Sequence, residues 1–394
     1  MSSSNLTRIT FIEEAAFGET PATGNFSTAR FISESLSGSP ETTESAQIRT
    51  DRLSSGQIVT SLSVGGSINF ELAKESAIDS FLASAMLNTW DTSLAVNADL
   101  SIDATARTLT RVAGDWAVDV AVGDIITLSG FTNATNNTQV MVSKITSALI
   151  ISFLGPTNLV TEVDTGNTFK VADKLTIGTE KVSFSMEKAF LDLTTKAAIY
   201  RGMNVSEMSL NIAYGEIVNG SFTFQGNGYE TADIAGEFIT NTRTIDAVAT
   251  TQSMNGSIDM PFLGTSSTGD FEEVTTCIQN VTIGLNNNLT TQTCIGRVAP
   301  KNMTPGTAAV TVSLSSYLAD ENWDLLSAKL LQTPFELGFM IKNSGGSYGF
   351  YLPAVQVSMS DPASGGQNQD IMMEMDGTAS VGSGGRSSLT IFRV

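Results

Sequence analysis

"GEIVNGSFTFQGNG" occupies Gly215–Gly228, and "GGQNQDIMMEMDGT" occupies Gly365–Thr378. Each is a glycine turn, a run with apolar side chains at every second position, and a closing glycine. Period-two alternation marks a strand with one buried face. The question is why one chain writes the same hairpin arm twice.

The flanking sequence repeats with it. At a constant offset of 151, Phe184 falls on Phe335, Tyr200 on Tyr351, Met208 on Met359 and Gly215 on Gly366. Phe222 and Phe224 then fall on Met373 and Met375. A second ungapped alignment runs at an offset of 244. It sets the strand "SINFEL", with Ile68, Phe70 and Leu72 on one face, against "VTVSLS", so that Ile68 meets Val312 and Phe70 meets Leu314. A helix-like segment follows each strand. "ESAIDSFLASAML" has Ile78, Phe81, Leu82 and Ala85 at helical spacing, and "DENWDLLSAKLLQ" has Trp323, Leu326 and Leu330. Ser76 with Asp79 reads as a capping box, and Asp320 reads as the cap of the second helix.

Two offsets for one repeat require an insertion. The difference between 244 and 151 is 93 residues, placed between Thr89 and Phe184. The expected organisation is a first domain from 1–89 with 183–250, a small β module at 90–182, and a second domain at 251–394. Within the module, "TLTRVAG", "DIITLSG", "TQVMVSKIT" and "ALIISFLG" are strand signals separated by Gly-Asp and Asn-rich turns. Val118, Val120 and Val122, then Val140 and Val142, supply apolar alternation for its own core. The predicted fold is mainly β: two tandem β-sandwich or partly closed barrel domains, each with one packed α-helix, plus the inserted all-β module. Both copies also keep a long polar connection, at about 38–57 and 286–306; loops of that length without apolar periodicity are usually disordered or functional, and their presence in both copies favours function.

Composition narrows the function. The chain of 394 residues carries 21 Lys and Arg against 40 Asp and Glu, a net charge of −19, with no basic cluster. That argues against gripping nucleic acid through its phosphates and leaves room for a surface that must not bind it. There are no histidines, so the commonest general base and metal ligand is missing. No phosphate-binding P-loop and no nucleophile elbow occurs, and no catalytic constellation, cofactor site or metal site is expected. Cys277 and Cys294 fit neither a disulfide framework nor a zinc spacing, and read as reduced and partly buried. The amino terminus shows no secretory signal, and "ALIISFLG" is too short to span a bilayer.

"RITFIEEAAFGETP", "ARFISESLS", "IRTDR", "VGGSINFEL", "YRGMNVSEMSL" and "GSFTFQG" together resemble the tail tube (major tail) proteins of long-tailed, siphovirus-type bacteriophages. So does the run from "LNNNLTTQTCIGRVAPKNMTPGTAAVTVSLSSYL" to "GGQNQDIMMEMDGTA". The likeness covers nearly all of the chain outside 90–182 and keeps its order; the insert resembles the small β modules that decorate phage structural proteins. The resemblance implies a structural, non-enzymatic subunit of the virion tail, assembled in the host cytoplasm. It implies rings of three chains, because duplicated members supply two domains each, stacked into a hollow conduit. Its partners would be itself, the tape-measure protein, the tail terminator and the tail-tip or baseplate proteins, with DNA passing through unbound and no membrane involved. On this reading Arg49, Asp51 and Arg52 in the first long loop meet the next ring. Glu71, Glu374 and Asp376, on polar strand faces, line an acidic lumen, and the insert projects outward as a dispensable ornament. A cell-surface carbohydrate-binding β protein is the alternative, and it would need a secretion signal and aromatic-lined sites.

Overall fold

The structure is a computed structural model. It describes every residue except 1–2, 52, 55, 93–94, 194–195, 233–242, 259, 261, 267–270, 275–276, 321–322, 324–331 and 365. Eight long strands organise the molecule: β1 (Ser37–Glu44), β2 (Gln57–Glu71), β3 (Lys196–Ala213), β4 (Asn219–Gly226), β5 (Ile278–Asn286), β6 (Ala309–Tyr317), β7 (Gly346–Met359) and β8 (Met372–Ala379). They lie antiparallel in the order β1-β2-β4-β3-β5-β6-β8-β7. The second four repeat the order of the first four. One seam, β3 against β5, joins the halves over seven residue pairs from Glu207↔Asn286 to Ala213↔Asn280.

The alternation read from the sequence sets the faces correctly. Phe222 and Phe224 of β4 are buried, as are Met373 and Met375 of β8. The pairing, however, slides by two residues between copies. Phe222 lies across from Met208 and Ile68. Its counterpart across from Met359 and Leu314 is Met375, not the sequence-aligned Met373. A two-residue slip returns every side chain to the same face, so burial does not resist it.

Each half is a two-layer sandwich. The second layer of the first half pairs Gly24–Ala29, Thr7–Glu13, Phe184–Phe190 and the first part of β3. β3 serves both layers, passing between them at Gly202, whose φ is 64°, and at a register shift beyond Val205. In the second half Phe262–Ser266, Phe335–Asn343 and β7 repeat this arrangement. Among the described residues the main sheet does not close on itself. Among those residues no pairing joins β1 to β7, the two ends of the eight-strand series, so neither half is a closed barrel.

Helix α1 (Ser76–Met86) plugs the first sandwich with Ile78, Phe81 and Leu82, all buried. It stops at Leu87, in the left-handed region at φ 50°, and the Asn88 N–H reaches back to the Ala83 carbonyl (3.2 Å). The expected capping box does not form. The N-cap is Glu75, without a side-chain cap bond, and Asp79 instead accepts from Lys74 (2.6 Å), Tyr348 (2.7 Å) and Arg393 (3.2 Å). A strong tertiary cluster has taken the capping carboxylate. The helix expected in the second copy lies on 321–331, outside the described residues except for Trp323, which is exposed.

Between the halves of the first sandwich the chain builds a separate eight-stranded sheet from residues 95–171. Its own cluster centres on Trp116, Phe153 and Phe169. Val140 and Val142 are buried in it, but Val118 is 80% exposed, because Trp116–Asp119 is a short helix rather than a strand. This unit rests on the second half through Ile125, Met141 and Leu154 against Met340, Tyr351 and Phe392. The segment that leaves it, Asp173–Thr176, pairs with Thr390–Arg393, and Leu175 and Val182 belong to the main core.

Candidate functional site

One face of the main sheet, formed by β1 to β8, packs on the core, and the other is built of hydroxyls, amides and carboxylates. A single row of paired residues crosses seven strands: Glu71, Asn219, Asn211, Thr282, Ser313, Asp376 and Ser358. Short polar side chains link across the strands. Ser67 and Thr223 share a hydrogen bond (3.0 Å), as do Ser209 and Ser221 (2.8 Å). The Thr282 hydroxyl donates to Asn211 (3.1 Å), and the Asn286 amide donates to Glu207 (2.7 Å). Cross-strand pairs of this kind contribute roughly 0.2–1 kcal/mol each.

The three sequence-predicted acidic residues share this face without contacting one another across it: Glu71 stands five strands from Asp376. Glu71 and Asp376 share the row just given, and Glu374 lies across from Ser315 two positions along the same strand. Glu374 and Asp376 are exposed, whereas Glu71 is half-buried and accepts from the Ser253 hydroxyl (2.7 Å). Sequence reading missed Glu207, which occupies the same face beside Thr223 and Asn286. No Lys or Arg occupies a position on this face in β2, β4, β5, β6 or β8, or in the 207–213 part of β3.

Two loops extend beyond the sheet. The first is shorter than its polar composition suggests, because 37–44 is strand β1 and the connection proper is 45–56. Strand β1, "SGSPETTE", lacks apolar alternation because both its faces are open to solvent. In the loop the Arg49 guanidinium donates twice to Asp51 (2.9 and 2.6 Å), and this bond holds the Asp51 carboxyl below its ordinary range. Arg49 and Asp51 therefore pair with each other, and Arg52 lies outside the described residues. Ile48 and Leu53 are exposed beside them. The second loop is rooted by the buried Asn287, whose amide donates to the carbonyls of Ala85 (2.8 Å) and Val205 (3.1 Å). It runs along β2, where the Leu62 N–H donates to the Val298 carbonyl (3.0 Å), and exposes Ile295. Cys277 and Cys294 are free but exposed rather than partly buried, since both sit in connecting segments.

An open, repeated sheet with one polar face, long loops at its margin and strand edges that lack a partner strand among the described residues is an arrangement suited to an assembling structural subunit. The chain belongs to the phage tail tube protein family, whose profile matches residues 4–379. No individual curated protein matches the sequence. The protein is a structural component of a bacteriophage tail, of mainly β fold.

Proposed function

We propose that this chain is the repeating subunit of a siphovirus-type tail tube: three chains form a ring, and rings stack into a conduit for a tape-measure protein and then for DNA. The observation that carries this reading is the strand order β1-β2-β4-β3 repeated as β5-β6-β8-β7 in one open sheet, so that each chain supplies two equivalent sectors of a ring. The two tube domains are 1–91 with 173–250 and 251–394, around an outward insert whose own sheet spans 95–171; the stretch 173–182, expected in the insert, packs with the tube domains.

The polar sheet face lines the lumen. Glu71, Glu207, Glu374 and Asp376 give it acidic character without cations, so DNA slides past without the counterion release that makes basic surfaces adhesive. The loops at 45–56 and 287–308 meet the neighbouring ring; head-to-tail stacking of this kind never closes and yields a filament. Assembly takes place in the host cytoplasm, with the terminator and tip proteins ending the tube. Electron microscopy of purified protein tests this. Hollow tubes with three chains per ring are expected; discrete monomeric particles at high concentration, or rings of six chains, would overturn it.

A further inference from the structure

Resting on the tube reading, we propose that the insert is a clasp between the two halves of the chain. It grows from the first half, seats on the second, and holds both at the angle at which three chains close a ring. Root and seat lie on different halves. At the root Asp91 bridges to Lys174, and the Trp90 indole donates to the Asp79 carbonyl of α1 (3.0 Å). At the seat Ile125, Met141 and Leu154 rest on Met340, Tyr351 and Phe392. None of those three insert side chains belongs to the insert's own core around Trp116, Phe153 and Phe169. They form a second apolar face. The side of strand 335–343 turned away from the main core covers it, since Phe339 and Ile341 enter that core and Met340 does not.

The seat is encoded in the second half as missing side chains. Gly264 lies across from Gly338, and Gly349 across from Met340, each inside a strand. Glycine weakens a strand interior, and its use there marks the close approach of another group. A Cβ on Gly338 would stand 2.8 Å from the Met141 sulfur; one on Gly264 would strike Leu154, and one on Gly349 would strike Ile125. Phe184 and Phe335 hold equivalent places against Met203 and Val355, so the matching positions of the first half are Thr10, Glu187 and Ala197. All three carry side chains, and all three are buried. The glycine cradle therefore exists on one half only.

Directional contacts at the rim fix the insert's orientation. Arg386 donates to the Val122 carbonyl (3.1 Å) and to the Tyr351 hydroxyl (3.1 Å), which itself donates to Glu336 (2.8 Å). Arg107 donates to the carbonyls of Gly155 (2.8 Å) and Pro156 (3.0 Å) and reaches Glu273 of the second half (3.4 Å). Lys342 donates to Gln139. The sheet itself joins the halves along one line, the β3–β5 seam. The insert adds a connection that bypasses that line, beside the Asp79 bonds to Tyr348 and Arg393. A hinge along the seam is thereby locked. In a ring built from two sectors per chain, a free hinge would admit closed rings of other sizes, so a fixed angle selects one.

Met141→Ser with Leu154→Ser empties the clasp from the insert side and touches neither core. Gly349→Val displaces Ile125 from the other side, and Ile125→Ala added to it restores the room. Small-angle scattering on the unassembled subunit reads release of the insert as a larger radius of gyration. Both releasing variants should then exchange their seam amides, at 207–213 and 280–286, about tenfold faster than the parent chain. Gly349→Val with Ile125→Ala should return toward the parent rate. In micrographs the released variants should form tubes whose rings differ in chain number. A released insert with unchanged seam exchange and uniform rings would overturn the clasp and leave the tube reading standing. An insert that stays seated in both variants would overturn the cradle on which the clasp depends. If the parent chain never assembles while its seam loosens on release, the tube reading fails and the lock between the halves stands.

Discussion

Phe81 touches four other aromatic rings, with centroids 4.7 Å from Phe11, 5.2 Å from Phe224, 5.4 Å from Phe184 and 5.6 Å from Phe222. These rings come from the helix and from three strands on both layers, so Phe81→Ala should cost about 3–5 kcal/mol, read as a lower denaturation midpoint in urea. Its helical spacing was legible in the sequence; its partners, up to 143 positions away at Phe224, were not. Glu75 makes the opposite case. It is buried beside Arg30 (3.5 Å), and burial raises its carboxyl above the ordinary value, with Arg30 opposing and Asp79 reinforcing the rise. A raised carboxyl favours the protonated form in the fold. Its contribution is therefore fully present below the unfolded pKa of about 4.3 and is lost as pH climbs through the folded value. Arg30 keeps its bonds to the Thr251 carbonyl (2.6 Å) and Ser253 hydroxyl (3.3 Å) without Glu75. Glu75→Gln should thus raise the melting temperature at pH 7, by no more than about 1–2 kcal/mol in stability, and leave it unchanged near pH 4. A lower melting temperature at pH 7 would mean that the Arg30 pair outweighs the desolvation.

At the scale of elements, alternation in "SFTF" and "SINFEL" was enough to say which side chains face the core, because the strand period is two. It could not say which residues lie opposite one another, since a slip of two satisfies the same pattern; hence Met375 stands where Met373 aligns. The first long loop read as some twenty polar residues, but its ends are strand β1 and the start of β2. Shortening must therefore stop at 45–56. Replacing that stretch with an Asn-Gly turn keeps the β1–β2 register and should leave a subunit with unchanged circular dichroism and melting. Such a subunit should fail to polymerise in sedimentation and microscopy, because Ile48, Leu53 and the Arg49–Asp51 pair go with the loop. Tubes of normal length would show that ring contacts lie elsewhere.

At the scale of the molecule, the insert is the part whose relation to the rest decides an experiment. Its strands at 95–171 have their own core, and the bridge between Asp91 and Lys174 brings its two ends together. A short Gly/Ser linker joining 91 to 173 therefore spans almost no distance. Cutting the full stretch 90–182 removes more than the module. Leu175 and Val182 leave the main core, the strand at 173–176 leaves its pairing with 390–393, and Ser84 loses the Val182 carbonyl to which its hydroxyl donates (2.7 Å). Even the smaller deletion uncovers Met340, Tyr351 and Phe392, on which Ile125, Met141 and Leu154 rest. Removing 92–172 should accordingly give a folded subunit that still forms tubes, of smaller outer diameter, with a lower melting temperature and greater tendency to aggregate. Joining Thr89 to Ser183 should be markedly less stable than that, with most of the protein insoluble. The comparison is made by melting curves and by tube diameter in micrographs. If several linkers across 91–173 give only unfolded product, the module is part of the host core; if both deletions assemble equally well, the strand at 173–176 contributes nothing to the second half.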